Sequence, residues 1–256
     1  MIHALRPFLN AVQFMTVLPA PRAVQFDDGW LLPAARYFPL VGALIGLVCG
    51  GVLIGASAIW SGMVPAVLAV IAGVILTGGL HEDGIADSAD GLFGGRTREQ
   101  RLTIIKDSRI GNYGAVALIV SLIIRIAALA TLPPWLGAAA LVASHSLGRA
   151  GILAAMSMMP YAGHVATAKL NYPDSRIDPA GTIVAVVLTL LGLAGLLVAE
   201  PGAAACGLIG AVALGTLPGL AAARLIGGYV GDVLGATEQF TQIGLLLGVA
   251  AIAGHG

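Results

Sequence analysis

A chain of 256 residues that is 58% hydrophobic and only 10% charged, with a mean hydropathy of +0.94, is not an ordinary soluble domain, because such domains carry roughly 25% charged residues. Its thirteen basic and thirteen acidic residues cancel, and that balance excludes a polybasic nucleic-acid-binding protein. The composition predicts a polytopic membrane protein.

In chain order, the first apolar run, Phe8 to Leu18, contains Asn10 and Gln13 and ends at Pro19 and Pro21. It lacks a small-residue cleavage site, so it reads as an interfacial or half-inserted helix rather than a removed signal. Seven stretches then have the make-up of membrane spans: Tyr37–Trp60, Met63–Leu80, Tyr113–Leu132, Trp135–Met159, Gly181–Ala199, Gly202–Ile226 and Phe240–Gly254. Most approach the ~20 residues that a crossing helix needs, and the last is short. Ser61-Gly62, Pro133-Pro134 and Pro201-Gly202 mark breaks between them. The fold class is therefore all-α: a membrane helix bundle of about seven spans plus the N-terminal helix. Residues 1–256 read as one membrane-embedded domain, with no repeat and no second unit.

With the N-terminus in the cytoplasm, one face receives Arg6, Arg22, Arg36, Arg96, Arg98, Arg101, Lys106, Arg109, Lys169 and Arg176, and Arg224 at a helix end. The opposite connections receive no Lys or Arg, which is the asymmetry that orients membrane proteins. The chain is thus expected in a bacterial cytoplasmic (inner) membrane, in contact with lipid, with its working face inside. Gly42, Gly46 and Gly50 form a stripe that lets helices approach closely in lipid; the stripe alone fits a seam within one copy or one between copies in a homo-oligomer. Cys49 and Cys206 sit in apolar runs and read as packing residues. His3, His164 and His255 show no ligand spacing.

The run from His81 to Gly91, directly after the second span, holds Glu82, Asp83, Asp87 and Asp90. On a helix, Asp83, Asp87 and Asp90 fall within about 60° of arc. Carboxylates crowded at a membrane edge call for a cation, and oxygen ligands beside phosphates favour Mg²⁺. Asp107 is placed to join them as a further metal ligand. Lys106, Arg109 and Arg96 offer positive charge to a phosphorylated substrate. Gly91, Gly94 and Gly95 would let backbone approach its phosphates, and Glu82 or Asp107 would take a proton. Arg125, His145 and Arg149 lie inside spans, where a role in the site and a role in holding the bundle are equally open. A second polar patch runs from Gly227 to Ala236 and includes Tyr229 and Asp232; by composition alone it reads as a flexible connector.

These segments together resemble the cobalamin synthase family, also called adenosylcobinamide-GDP ribazoletransferase. The resemblance runs through Gly78–Gly91, Lys106–Gly114, Phe38–Gly42 and the Gly228–Ala236 patch. It implies a Mg²⁺-dependent membrane transferase that joins adenosylcobinamide-GDP to α-ribazole or its 5′-phosphate and releases GMP. It also implies that Tyr229 and Asp232 are substrate-binding elements. Two rivals have less in their favour. Asp87-Ser88-Ala89-Asp90-Gly91 matches the start of the CDP-alcohol phosphotransferase signature, but Gly94-Gly95 replace the expected Ala-Arg and the two later aspartates are not at the right spacing, with only Asp107 nearby and Asn112 in place of a last acid. A cation or proton transporter would place its acids near the bilayer midplane rather than at one face.

Overall fold

The computed structural model describes residues 2–19, 26–27, 29–163 and 176–253. The predicted cytoplasmic cations Arg22 and Lys169, the loop around Asn171, and His164 and His255 lie outside them, as does the side chain of His3. The described residues form α-helices and no strand; a single parallel bridge joins Tyr161 to Tyr229. Six helices are long and apolar enough to cross a membrane: α3 (Phe38–Ser57), α7 (Asn112–Ala130), α8 (Pro134–Met158), α9 (Pro179–Ala199), α10 (Pro201–Ile226) and α11 (Gly231–Ala253). The other elements are α1 (Ile2–Met15), α2 (Leu31–Ala35), α4 (Val64–Thr77), α5 (Leu80–Gly94) and α6 (Arg98–Ile105). Proline opens α8, α9 and α10, where its missing N–H has no partner to lose. At 14 residues, about 21 Å, α1 is too short to span. It packs on α3 through Phe14 and Phe38, whose rings lie 5.9 Å apart.

Two expected spans come out differently. The second ends at Thr77, because Gly78 and Gly79 both adopt left-handed backbone (φ +65° and +72°). This conformation is costly for residues with a Cβ. The chain turns by 89° there and continues as α5. The last span begins at Gly231 instead of Phe240, so the glycine patch is mostly helix rather than connector. Hydropathy misses its first turns because Thr237, Glu238 and Gln239 are polar, yet all three are buried.

Helices α8 and α11 form the centre, while α7 and α9 lie outside and expose residues such as Val120, Val187 and Leu191. The glycine stripe is an internal seam. A Cβ on Gly42 would collide with the His145 carbonyl of α8, and one on Gly46 would lie 2.5 Å from the Val142 Cα. Gly210 and Gly244 make the same backbone-to-backbone contact between α10 and α11. Lipid is as apolar as the side chains, so close packing must hold such a bundle together.

A buried polar network crosses this core. Arg149 Nη1 donates to Glu238 Oε1 at 2.7 Å and to the His145 carbonyl at 3.0 Å. Arg125 Nη2 donates to Glu82 Oε1 at 3.0 Å. Gln239 Nε2 bridges the two carboxylates, at 3.1 Å from Glu82 and 3.2 Å from Glu238. The two arginines and two glutamates balance, which is what burial of charge demands. The network pins the start of α5 to α7, α8 and α11.

The seam predicts a sharp contrast along one helix. Gly46→Leu forces α3 off α8, and overpacking of this kind costs about 1–3 kcal/mol or more. Gly51, one residue beyond the Gly50 contact, faces open space, and a Cβ there would meet nothing within 4 Å. Thermal unfolding in detergent is expected to show a lowered midpoint for Gly46→Leu and little change for Gly51→Leu; equal losses would contradict the seam.

Candidate active site

The turn at Gly78-Gly79 aims one face of α5 into an open cavity of about 640 Å³. Its apolar wall includes Phe14, Val17, Leu80, Ile110 and Leu118, and its polar side carries Thr77, Glu82, Asp83, Asp87 and Ser108. The N-terminal segment closes one edge, where the Val17 N–H donates to the Leu76 carbonyl at 2.9 Å. Asp83 is exposed and Asp87 half-buried. Helical spacing of four puts both carboxylates side by side.

Neither Asp83 nor Asp87 takes part in an ion pair or a side-chain hydrogen bond among the described residues. Burial most of all, then the charges of Asp83, Asp232, Asp90 and Asp107, oppose the ionised form of Asp87. A cation would relieve that opposition. Mg²⁺ is commonly held by one or two carboxylates together with water and substrate phosphates, and a flanking pair of unpartnered carboxylates fits that donor set.

Several predicted residues stand elsewhere. Asp90 shares the helical face, but its oxygens accept from the Gly111 and Gly114 N–H groups at 2.7 and 2.9 Å. It caps the start of α7, an arrangement favoured by the helix dipole. A Cβ on Gly111 or Gly114 would run into that carboxylate. Asp107 is bound by Arg109, with Nη2–Oδ2 at 2.6 Å and Nε–Oδ1 at 3.0 Å. This pairing draws the Asp107 carboxyl down to about 2, so it is a poor proton acceptor at neutral pH. Arg109, with Asp107 as its partner, is itself highly exposed. Among the described residues no group of three or more His, Cys, Asp or Glu side chains is arranged to hold a metal. Of the four expected aspartates, Asp83 and Asp87 line the cavity, while Asp90 and Asp107 do not.

The predicted phosphate glycines do packing work. A Cβ on Gly91 would strike Ile105, and one on Gly95 would come 2.7 Å from the Arg101 backbone N; both let α6 lie against α5. Gly94 is exposed and borders no part of the cavity wall. Arg96 is exposed, and neither it nor Lys106 lines the cavity. Arg98 instead ties loops together, donating to the Ile226 carbonyl at 2.9 Å and the Ala162 carbonyl at 2.7 Å. Tyr229 is fully buried, edge-on to Tyr161 at 5.7 Å. Asp232 sits in the first turn of α11 behind α5, where a Cβ on Gly84 would lie 2.8 Å from its carbonyl oxygen. Glu82 borders the cavity, but its Oε1 belongs to Arg125 and Gln239. The expected proton acceptor thus accepts from two partners through Oε1.

Phe14, Val17, Ile110 and Leu118 escape sequence reasoning, because apolar wall residues look like any other span residue. Glu238, Gln239 and Gln242 escape it too. A signal for these was present: Arg125 and Arg149 inside spans require acidic partners at similar depth.

The family model for cobalamin-5-phosphate synthase matches residues 7–250. The adenosylcobinamide-GDP ribazoletransferase of Leptothrix cholodnii is 39% identical over 253 residues, covering 97% of this chain and 96% of the relative. That of Bradyrhizobium diazoefficiens is 43% identical over 253 residues, covering 94% and 92%. That of Shewanella frigidimarina is 36% identical over 260 residues, covering 98% and 96%. No solved structure matches the chain. With a helical membrane bundle, a carboxylate-bearing cavity and full-length similarity of this degree, the chain belongs to the cobalamin-5-phosphate synthase family.

Proposed function

We propose that this protein transfers a phosphorylated cobinamide from adenosylcobinamide-GDP to α-ribazole or its 5′-phosphate, releasing GMP and using Mg²⁺. The observation that carries the reading is the similarity to ribazoletransferases over more than nine-tenths of the chain. The cavity agrees with it. A nucleotide-linked diphosphate needs charge compensation, and Asp83 and Asp87 are the described cavity residues suited to hold Mg²⁺ for it. The metal, when bound, would supply positive charge to the phosphate oxygens as the bond to GMP breaks.

In this reading a ribose hydroxyl of the ribazole attacks the phosphorus nearer the cobinamide. The new oxygen–phosphorus bond forms as the bridging bond breaks, GMP leaves with the electron pair, and the hydroxyl proton passes to the departing phosphate. Asp83 and Asp87 would hold the metal beside the diphosphate. Phe14, Val17, Ile110 and Leu118 give the cavity an apolar wall beside those carboxylates. Lys106, Arg96 and Arg109 stand outside the wall, and their part is to draw a polyanionic substrate toward the cavity mouth.

The side of the membrane follows from charge. In the fold, the described residues Arg96, Arg98, Arg101, Lys106, Arg109 and Arg176 lie in connections at one end of the bundle, and the 58–63 and 131–133 connections at the other end contain none. The positive-inside rule makes the first end, with the N-terminus and the cavity, cytoplasmic in an inner membrane.

Three outcomes are expected. Purified protein given both substrates releases GMP only with Mg²⁺, and Asp87→Asn lowers that release by about 100-fold or more while the thermal midpoint is kept. Release of CMP from a CDP-alcohol, or near-normal turnover by Asp87→Asn, would overturn the assignment. Asp90→Ala, by contrast, removes a helix cap, costing about 1 kcal/mol. Its activity loss should track the folded fraction, and extra Mg²⁺ should not restore it. For orientation, Arg109→Cys should react with a membrane-impermeant thiol reagent in inside-out vesicles and Ser61→Cys in right-side-out cells; the reverse pattern would invert the topology.

A further inference from the structure

Besides the open cavity, the protein contains a second one of about 10 Å³, deep in the bundle and lined by buried residues. Gly73 and Thr77 of α4, Glu82 of α5, Arg125 of α7, Arg149 of α8 and Gln242 of α11 all border it. Its volume is that of about one water molecule. Four polar atoms of the lining residues are buried and have no hydrogen-bond partner: Glu82 Oε2, Arg125 Nε, and Arg149 Nε and Nη2. Arg149 is completely inaccessible and Glu82 nearly so. An orphaned carboxylate oxygen and orphaned guanidinium N–H groups at this depth are each costly. The charges around the cavity already balance, Arg125 and Arg149 against Glu82 and Glu238. An added anion or cation would undo that balance, so the ligand must be small, neutral and both donor and acceptor. Cavities that stay dry are apolar, and this one is not.

We propose that this cavity binds one ordered water, which accepts from the Arg149 guanidinium and donates to Glu82 Oε2, and thereby locks α5 to α8. Glu82 precedes Asp83, and it borders both this cavity and the open one. The water makes Glu82 and Arg149 positioning residues: they act by fixing the rotation of α5 that presents Asp83 and Asp87. This last step rests on the reading of Asp83 and Asp87 given above.

Gly73 offers a test that leaves the network side chains intact. An added Cβ there points at the cavity, 3.6 Å from His145 Cε1 and 3.2 Å from Cys49 Sγ. Gly to Ala inside a helix ordinarily stabilises, so Gly73→Ala should raise the thermal midpoint if the cavity is dry. With a water displaced, the midpoint should instead fall by roughly 3 °C or more. Gly73→Ser, whose hydroxyl replaces the water, should recover part of the loss. A rise in Gly73→Ala, or a Gly73→Ser variant no better than Gly73→Ala, would overturn the water. So would full recovery in the Gly73→Ala, Cys49→Ala double variant, since crowding at Sγ would then explain the loss. For the positioning role, the Mg²⁺ concentration giving half-maximal GMP release should rise several-fold in Gly73→Ala and return toward normal in Gly73→Ser, with kcat at saturating Mg²⁺ little changed. An unmoved Mg²⁺ response alongside a lowered midpoint would overturn the positioning role and keep the water. Wild-type protein that releases no GMP would remove the functional reading, while the unfolding measurements still decide the water.

Discussion

Compensation of buried charge is the constraint on which the rest of this structure depends. Two arginines and two glutamates lie inside a bundle whose outer surface faces hydrocarbon, and removing any one of them would strand its partner at a cost of about 3–5 kcal/mol. The ion pairs Arg125–Glu82 and Arg149–Glu238, linked by Gln239, therefore dictate which faces of α5, α7, α8 and α11 turn inward. Glycine contacts set how close the helices come; the charges set how they are rotated. Neither alone would define the cavity, because close packing without the ion pairs leaves helix rotation weakly specified in an apolar solvent.

The sharp turn at Gly78-Gly79 follows from the same constraint. A straight continuation of α4 would carry Glu82 along the bundle axis, away from Arg125. Two successive left-handed glycines redirect the chain by 89° so that Glu82 reaches α7 and Asp90 reaches the first turn of the same helix. α5 is thus fastened at both ends by a carboxylate. Between those fastenings, Asp83 and Asp87 make no such bond and face the open cavity.

Much of this was legible in the sequence. Hydropathy and proline breaks locate the six crossing helices, the last only from Phe240 onward, and charge asymmetry separates the two ends. The cluster of acids after the second span marks the helix whose carboxylates line the open cavity. What periodicity could not tell was how the acids divide among different tasks. Asp83, Asp87 and Asp90 share a helical face, yet Asp90 is consumed by backbone N–H groups that lie 21 and 24 residues away. Asp107 is consumed by an arginine two residues away. Such assignments depend on tertiary neighbours that spacing does not encode. The start of α11 was hidden for a related reason: Thr237, Glu238 and Gln239 lower the hydropathy of its first turns, yet all three are buried.

Adjacent positions on α5 show why compensated and uncompensated acids belong together. Residues 82 and 83 project about 100° apart around a helix. Holding Glu82 against Arg125 therefore forces Asp83 toward the cavity, and Asp87 with it one turn later. Rotation of α5 by that angle would bury Asp83 without a partner and expose Glu82, losing an ion pair and stranding a charge in the same movement. Two carboxylates with no protein partner ordinarily relax apart or rotate to find one. Here their neighbour's salt bridge prevents both, so the pair stays at the cavity wall with no ion-pair partner among the described residues. The uncompensated charge at the surface of the cavity is a consequence of the compensated charge beneath it.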